Sequence, residues 1–220
     1  MVELDRMRAN QLMRRAKARK NGELVKVDST AAAAAAGQLS RGAAFQKSLE
    51  DKGFEVGGEF VAAIEEAQLL NATVLLGDRD INITIERVKE AEAEVRRLRA
   101  EGAISREVAR AAADRVPSSL RRRTEGEELT ADGVSQMRAV LTQRENARAV
   151  AAYMQRAAPP VYEAMIGERD TYMARQMLNA PSASMVAVVG LSHLDGLVQI
   201  LGEEGGALQV RLHSCMQPGL

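Results

Sequence analysis

The sequence predicts a helix-rich α/β domain in which a mostly parallel sheet carries helices on both faces. Three observations predict it. Helical patterns occupy most of the 220 residues. Three short apolar runs of strand length interrupt them: MVELD at the start, TVLLGDRD from Thr73, and MVAVVGLSH from Met185. Each run is followed by a helical pattern, and strands that alternate with helices pair in parallel through right-handed crossovers.

The elements follow in chain order. Residues 1–4 read as the first strand. Residues 6–20 set Leu12 and Met13 among seven basic residues and read as a basic amphipathic helix with a solvated charged face. Ser29 and Thr30 offer a cap for a helix that starts or extends through Ala31–Ala36. Gly53, Gly57 and Gly58 break the chain before the helical run FVAAIEEAQLL, residues 60–70. The β-branched and leucine run 73–77 reads as the second strand. Charge-laced helical patterns cover 83–102 and 105–116. Residues 117–132 have no apolar period and carry Arg121, Arg122 and Arg123 beside Glu125, Glu127 and Glu128, so they read as a mobile loop or insert. Helices are expected at 133–157 and, after Pro159 and Pro160, at 160–178. The third strand, 185–190, leads into a helix from about 194, and ALQVRL at 207–212 reads as a last short strand. The expected organisation is one domain over 1–213 with a polar tail at 214–220.

Composition excludes several functions. Thirty Lys and Arg balance thirty Asp and Glu, and aromatic residues make up 3% with no Trp. A general polyelectrolyte attraction to nucleic acid is therefore not expected, and the rings of a base-stacking platform are missing. Cys215 is the single cysteine, which rules out an internal disulfide and a cysteine-cluster zinc site. The longest apolar stretches, Ala31–Gly37 and Met185–Leu191, fall far short of the roughly 18–20 residues that span a bilayer. No signal-peptide core follows the N-terminus. The chain opens directly on a strand pattern, as though in the middle of a domain.

Candidate function sits where the strands end. The first run ends in Glu3 and Asp5, the second in Asp78 and Arg79, and the third in His193. In an open parallel sheet the carboxyl ends of the strands share one edge, where α/β folds place their sites. Gly77 and Gly190 allow the tight turns that aim these side chains into one crevice. A buried Arg79 needs a carboxylate partner, which Glu3 or Asp78 would supply. Glu168 or Arg169 is expected to reach the same crevice from the helix at 160–178. Arg87 and Arg169 read equally well as structural cations paired with Asp78, Glu168 or Asp170.

At this point a resemblance emerges. The run GGEFVAAIEEAQLLNATVLLGDRDINITIERV is similar to the signature block of the TraB/PrgY family. GERDTYMARQML resembles that family's Glu-Arg-Asp helix, VAVVGLSHLDGL its Gly-x-x-His strand–turn–helix, and MVELDRMR its apolar strand ending in Glu-Leu. The four blocks come in the family's order from residue 1 to about 200.

The resemblance implies an α/β fold shared with TIKI-type proteases, ChaN-like and erythromycin-esterase-like proteins. It also implies metal-dependent peptidase or hydrolase activity, or regulation by inactivating or sequestering peptide signals, as in pheromone shutdown. Mitochondrial or other organelle association, or a membrane segment outside this chain, is implied as well. The family pattern has two Gly-x-x-His motifs, whereas this sequence holds one, Gly190 to His193. The expectation is of an N-terminally truncated domain whose first strand and first motif are missing.

On that resemblance His193 and Glu3 are the expected metal ligands, with zinc or manganese bound weakly or not at all. Arg79 would stabilise an oxyanion, and Glu3 or Glu168 would act as base. Asp78, Arg87, Arg169, Asp170, Gly77 and Gly190 complete a binding or structural polar cluster. Two functions follow: an impaired metal-dependent hydrolase acting on peptides, or a non-catalytic regulator that binds a peptide or protein.

Overall fold

The computed structural model describes residues 1–21, 57–121, 139–140 and 142–204. Among these, helices dominate: α1 (Arg6–Lys20), α2 (Gly58–Leu69), α3 (Ile81–Ala100), α4 (Arg106–Ala113), the single turn α5 (Ser118–Arg121), α6 (Arg144–Ala157), α7 (Pro159–Tyr162), α8 (Glu168–Leu178) and α9 (Leu191–Glu204). A π-helical turn, Glu163–Gly167, joins α7 to α8.

Local chemistry explains most of the boundaries. Asp5 Oδ1 accepts the backbone N–H groups of Met7 and Arg8 and so caps α1. Asp80 caps α3 by accepting from Asn82 N, and Ser105 caps α4 by accepting from Val108 N. Pro159 and Pro160 occupy the first turn of α7, where a missing N–H costs nothing.

The α/β expectation is overturned. Among the described residues there is no regular strand and no sheet with helices on both faces. The three apolar runs meet only through isolated parallel bridges, Val2 to Leu76 and Val2 to Val188. Val2 N donates to Leu75 O, Gly77 N to Val2 O, Glu3 N to Val188 O and Val188 N to Met1 O. The reason is length and exposure. The runs were expected to be buried on both faces, yet Val186 is 80% exposed and Val74, Leu75 and Leu76 are only half-buried. Two short outer runs that each bridge the central run at Val2 alone form isolated bridges, not a ladder.

Alternation along that central run nevertheless organises the core. Val2 and Leu4 pack with Ala9 and Ile64, against Leu12, Phe60 and Val188, on the α1–α2 side. Met1 points the other way, into a cluster with Met173, Ala174 and Leu197 on α8 and α9. Successive side chains in extended backbone face opposite sides, so Glu3 shares the α8–α9 side with Met1. A third cluster, Val88, Ala91 and Ala164, seats α3 against the π-turn.

Most helices lie where the sequence predicts them. The helix after the third run begins at Leu191 rather than near 194, which puts His193 in its first turn. Residues 118–121 form a helical turn where a loop was expected. The expected helix at Ala31–Ala36, residues 122–132 of the loop, residues 133–138, the run 207–212 and the tail with His213 and Cys215 lie outside the described residues. No helix is long and apolar enough to cross a membrane among the described residues.

Candidate functional site: a buried histidine–carboxylate–arginine centre

Glu3, Asp78, Arg79, Asp170 and His193 are all buried, and they come from four segments far apart in sequence. Extended backbone carries Glu3 to the α8–α9 side, where its two oxygens divide their partners. Oε1 accepts from Arg169 Nη2 at 2.6 Å and lies 3.3 Å from His193 Nε2. Oε2 accepts the backbone N–H of Gly190, which precedes the first turn of α9. A carboxylate at a helix N-terminus is favoured by the helix dipole. Gly190 leaves room for that approach: a Cβ there would lie 2.9 Å from Glu3 Oε2, and the end of the Glu3 side chain would have to shift.

His193 is 2% exposed and held from both sides. Its Nδ1 lies 2.6 Å from Asp170 Oδ1, and its Nε2 faces Glu3. Burial alone would push the imidazole down, but the hydrogen bonds to Asp170 and Glu3 outweigh it and raise the pKa to about 8. His193 therefore carries a proton at neutral pH. For Glu3, burial works upward, yet the hydrogen bond and charge of His193, with Arg169 and the Gly190 N–H, hold the pKa to about 2. Burial pushes the Asp170 carboxyl up, against the opposing pull of His193.

Arg169 ties the centre together. Its Nε and Nη2 form a fork on Asp78, at 3.1 Å to Oδ1 and 2.7 Å to Oδ2, while Nη2 also reaches Glu3. Its Nη1 donates to Met165 O at 3.0 Å. Asp78 also receives the Arg79 N–H at 2.9 Å and an ion pair from Arg8. Arg8 in turn pairs with Asp5 at 2.7 Å.

Arg79 faces a neighbouring cluster. Its Nε donates to Thr84 Oγ1 at 3.0 Å, its Nη1 to Glu168 Oε2 at 2.6 Å and its Nη2 to Ala164 O at 2.5 Å. Arg87 donates to the other oxygen of Glu168 at 2.6 Å from the exposed face of α3. Arg87 and then Arg79 hold the Glu168 carboxyl below its usual range, despite partial burial. The π-turn supplies the carbonyls of Ala164 and Met165 to the two arginines, and such turns recur at functional sites.

The expected site residues thus divide into two linked groups. Glu3, Asp78, Arg169, Asp170, Gly190 and His193 form one, and Arg79, Arg87 and Glu168 the other. Gly77 stands outside both; a Cβ there would collide with Met1 Sδ at 2.1 Å. Sequence reasoning passed over Arg8 and Gly196. A signal for Arg8 exists: it lies three residues after Asp5, one helical turn away on the same face.

A divalent ion is a poor fit. No group of three His, Cys, Asp or Glu that could hold a metal occurs among the described residues. The donor set explains this. Asp170 takes His193 Nδ1, which leaves His193 Nε2 and Glu3 as two ligands where a catalytic ion takes about three. Next to them the guanidinium of Arg169, a fixed cation, already neutralises Glu3 and Asp78.

Comparison with known proteins bears on these motifs. An uncharacterised protein of Methanocaldococcus jannaschii is 29% identical over 154 residues, which are 69% of this chain and 34% of the relative. The chain thus spans about a third of that relative's length. No solved structure matches the chain. A match to the TraB/PrgY/gumN family runs over residues 1–208, through every part of the buried centre, and the chain belongs to that family.

Proposed function

We propose that the chain is a hydrolytic domain acting on peptides, with His193 and Glu3 as its reactive pair. The observation that carries this reading is the His193 imidazole fixed at Nδ1 by Asp170 with Nε2 aimed at Glu3. A group with a pKa near 8 is suited to hand a proton to a leaving amine at neutral pH, as water adds to the carbonyl carbon and gives its proton to Glu3 or Glu168. Glu3, held near 2, stays ionised beside it and stabilises the charged imidazole. Arg169 keeps Glu3 in place, and Arg79 holds Glu168 in the adjoining cluster. Zinc or manganese would be held weakly, since two ligands stand where about three are needed.

A second reading, a non-catalytic domain that binds a peptide or protein partner, draws on a different observation. His193 is almost fully buried and each of its ring nitrogens faces a carboxylate. A catalytic role requires opening of the centre; a structural role does not.

Mass-spectrometric analysis of a peptide mixture incubated with the protein separates the two, with and without added zinc or manganese. The hydrolytic reading expects cleavage that falls about 100-fold or more in His193→Ala, the size of general acid–base assistance. Cleavage indifferent to His193, or none under any condition, favours the binding reading. Metal-loaded protein is expected to lose its ion on chelation and gel filtration. Stoichiometric retention would contradict the weak-site expectation.

A further inference from the structure

We propose, resting on the peptide reading of the centre, that the exposed face of α1 is a docking track for acidic peptides. α1 holds seven basic residues and no acidic one in its 15 positions, in a chain whose net charge is zero. Arg6, Asn10, Arg14 and Lys17 stand three or four residues apart, so they line one face of the helix, and all four are exposed. Among the described side chains of α1, Arg8 makes ion pairs, to Asp5 and Asp78, whereas Arg6, Arg14 and Lys17 make none. Three cations on one face without a counter-charge draw in an anionic partner. At about 1.5 Å of rise per residue, Arg6 and Lys17 stand about 16 Å apart along the helix. Roughly five residues of extended peptide cover that distance.

The other face of α1 narrows the choice of partner. Ala9, Leu12 and Met13 pack with Ile64 and Phe60 of α2. With that apolar face already in the core, α1 is not free to sink into a bilayer interface as an amphipathic anchor does. Nor does α1 carry an aromatic ring on which a base could stack. An extended peptide needs neither. Its alternate side chains point the same way, so carboxylates at every second position can all face the stripe. The start of α1 also abuts the buried centre. Asp5 caps the helix, and Arg8 Nη2 reaches Glu3 O at 3.4 Å while pairing with Asp78. A peptide laid along the stripe therefore runs to the edge of that centre.

Fluorescence anisotropy on the whole chain at low salt tests this, with a labelled peptide of alternating glutamate and serine and its glutamine counterpart. The glutamate peptide is expected to bind and the glutamine peptide is not. Binding should weaken about tenfold or more in the triple variant Arg6→Gln, Arg14→Gln, Lys17→Gln, and should weaken as salt is added. The same loss of charge from exposed positions on and beside α3 and α4, Lys89→Gln, Arg96→Gln and Arg106→Gln, should leave binding within about twofold. Circular dichroism establishes that each variant is folded; if the α1 triple variant is not, Arg14→Gln with Lys17→Gln decides alone. Equal binding by the wild type and a folded α1 variant overturns the proposal. So does tighter α1-dependent binding of phosphatidylserine vesicles or of single-stranded oligodeoxyadenylate. Binding of the glutamate peptide through α1 without its cleavage supports the docking track and favours the non-catalytic reading. His193-dependent cleavage of peptides with no α1-dependent binding supports the hydrolytic reading and overturns the docking track.

Discussion

Arg169→Met is expected to remove about 3–5 kcal/mol of stability, the cost of leaving buried charges without their partner. The side chain is 13% exposed and serves Asp78 through a two-pronged contact and Glu3 through a third. Methionine keeps much of the volume and loses every donor. Asp78 retains Arg8 and the Arg79 N–H, while Glu3 retains His193 and Gly190 N, so each buried carboxylate loses one cationic partner and keeps the others. Urea unfolding followed by circular dichroism measures the loss. A change below about 1 kcal/mol would mean that Arg169 is solvated rather than buried between the two carboxylates.

The second large effect is on pH dependence. Glu3 has its folded pKa depressed to about 2 from 4.5, so its stabilisation is present above pH 4.5 and lost as pH falls toward 2. At roughly 1.4 kcal/mol per unit this is about 3 kcal/mol. His193 runs the other way. Its folded pKa is raised to about 8 from 6.5, so its stabilisation is complete below 6.5 and lost as pH rises through 8, about 2 kcal/mol by the same conversion. Asp170, raised by burial, adds stability only on the acid side and softens the acid loss. Urea midpoints across pH 3–9 are therefore expected to peak between about 4.5 and 6.5 and to fall on both flanks. Glu3→Gln should flatten the acid flank, and His193→Gln the alkaline one. A wild-type profile that is level from pH 6 to pH 9 would show that His193 gains nothing from its two carboxylates.

Much of the centre was legible in the sequence because each apolar run ends on its own polar residue. Glu3, Asp78 and His193 stand at those ends, and Arg169 and Asp170 lie on a helix whose acidic and basic residues are interrupted by buried Met173 and Ala174. The same runs misled on the fold. Apolar residues in a row suggest strands buried on both sides, but periodicity does not say how many neighbours a run will find. Here Val2 alone bridges both outer runs, and Val186 lies open to solvent. The π-turn at Glu163–Gly167 left no readable signal, since EAMIG has the pattern of ordinary helix, yet that turn delivers two carbonyls to Arg79 and Arg169. The long-range contacts of Arg8 and Gly196 were hidden for another reason. Their partners, Asp78 and Asp170, lie 70 and 26 residues away, and only the packing of α1 and α9 brings them near.

The central claim is that segments at opposite ends of the chain close on one buried polar centre, and a double-mutant cycle between Glu3 and Arg169, 166 residues apart, tests it most directly. Glu3→Gln, Arg169→Met and the double variant are unfolded in urea beside the wild type. A buried contact predicts that the double variant loses less than the sum of the singles, by about 1–3 kcal/mol. Effects that add to within about 0.5 kcal/mol would contradict it, placing Glu3 and Arg169 in separate surroundings.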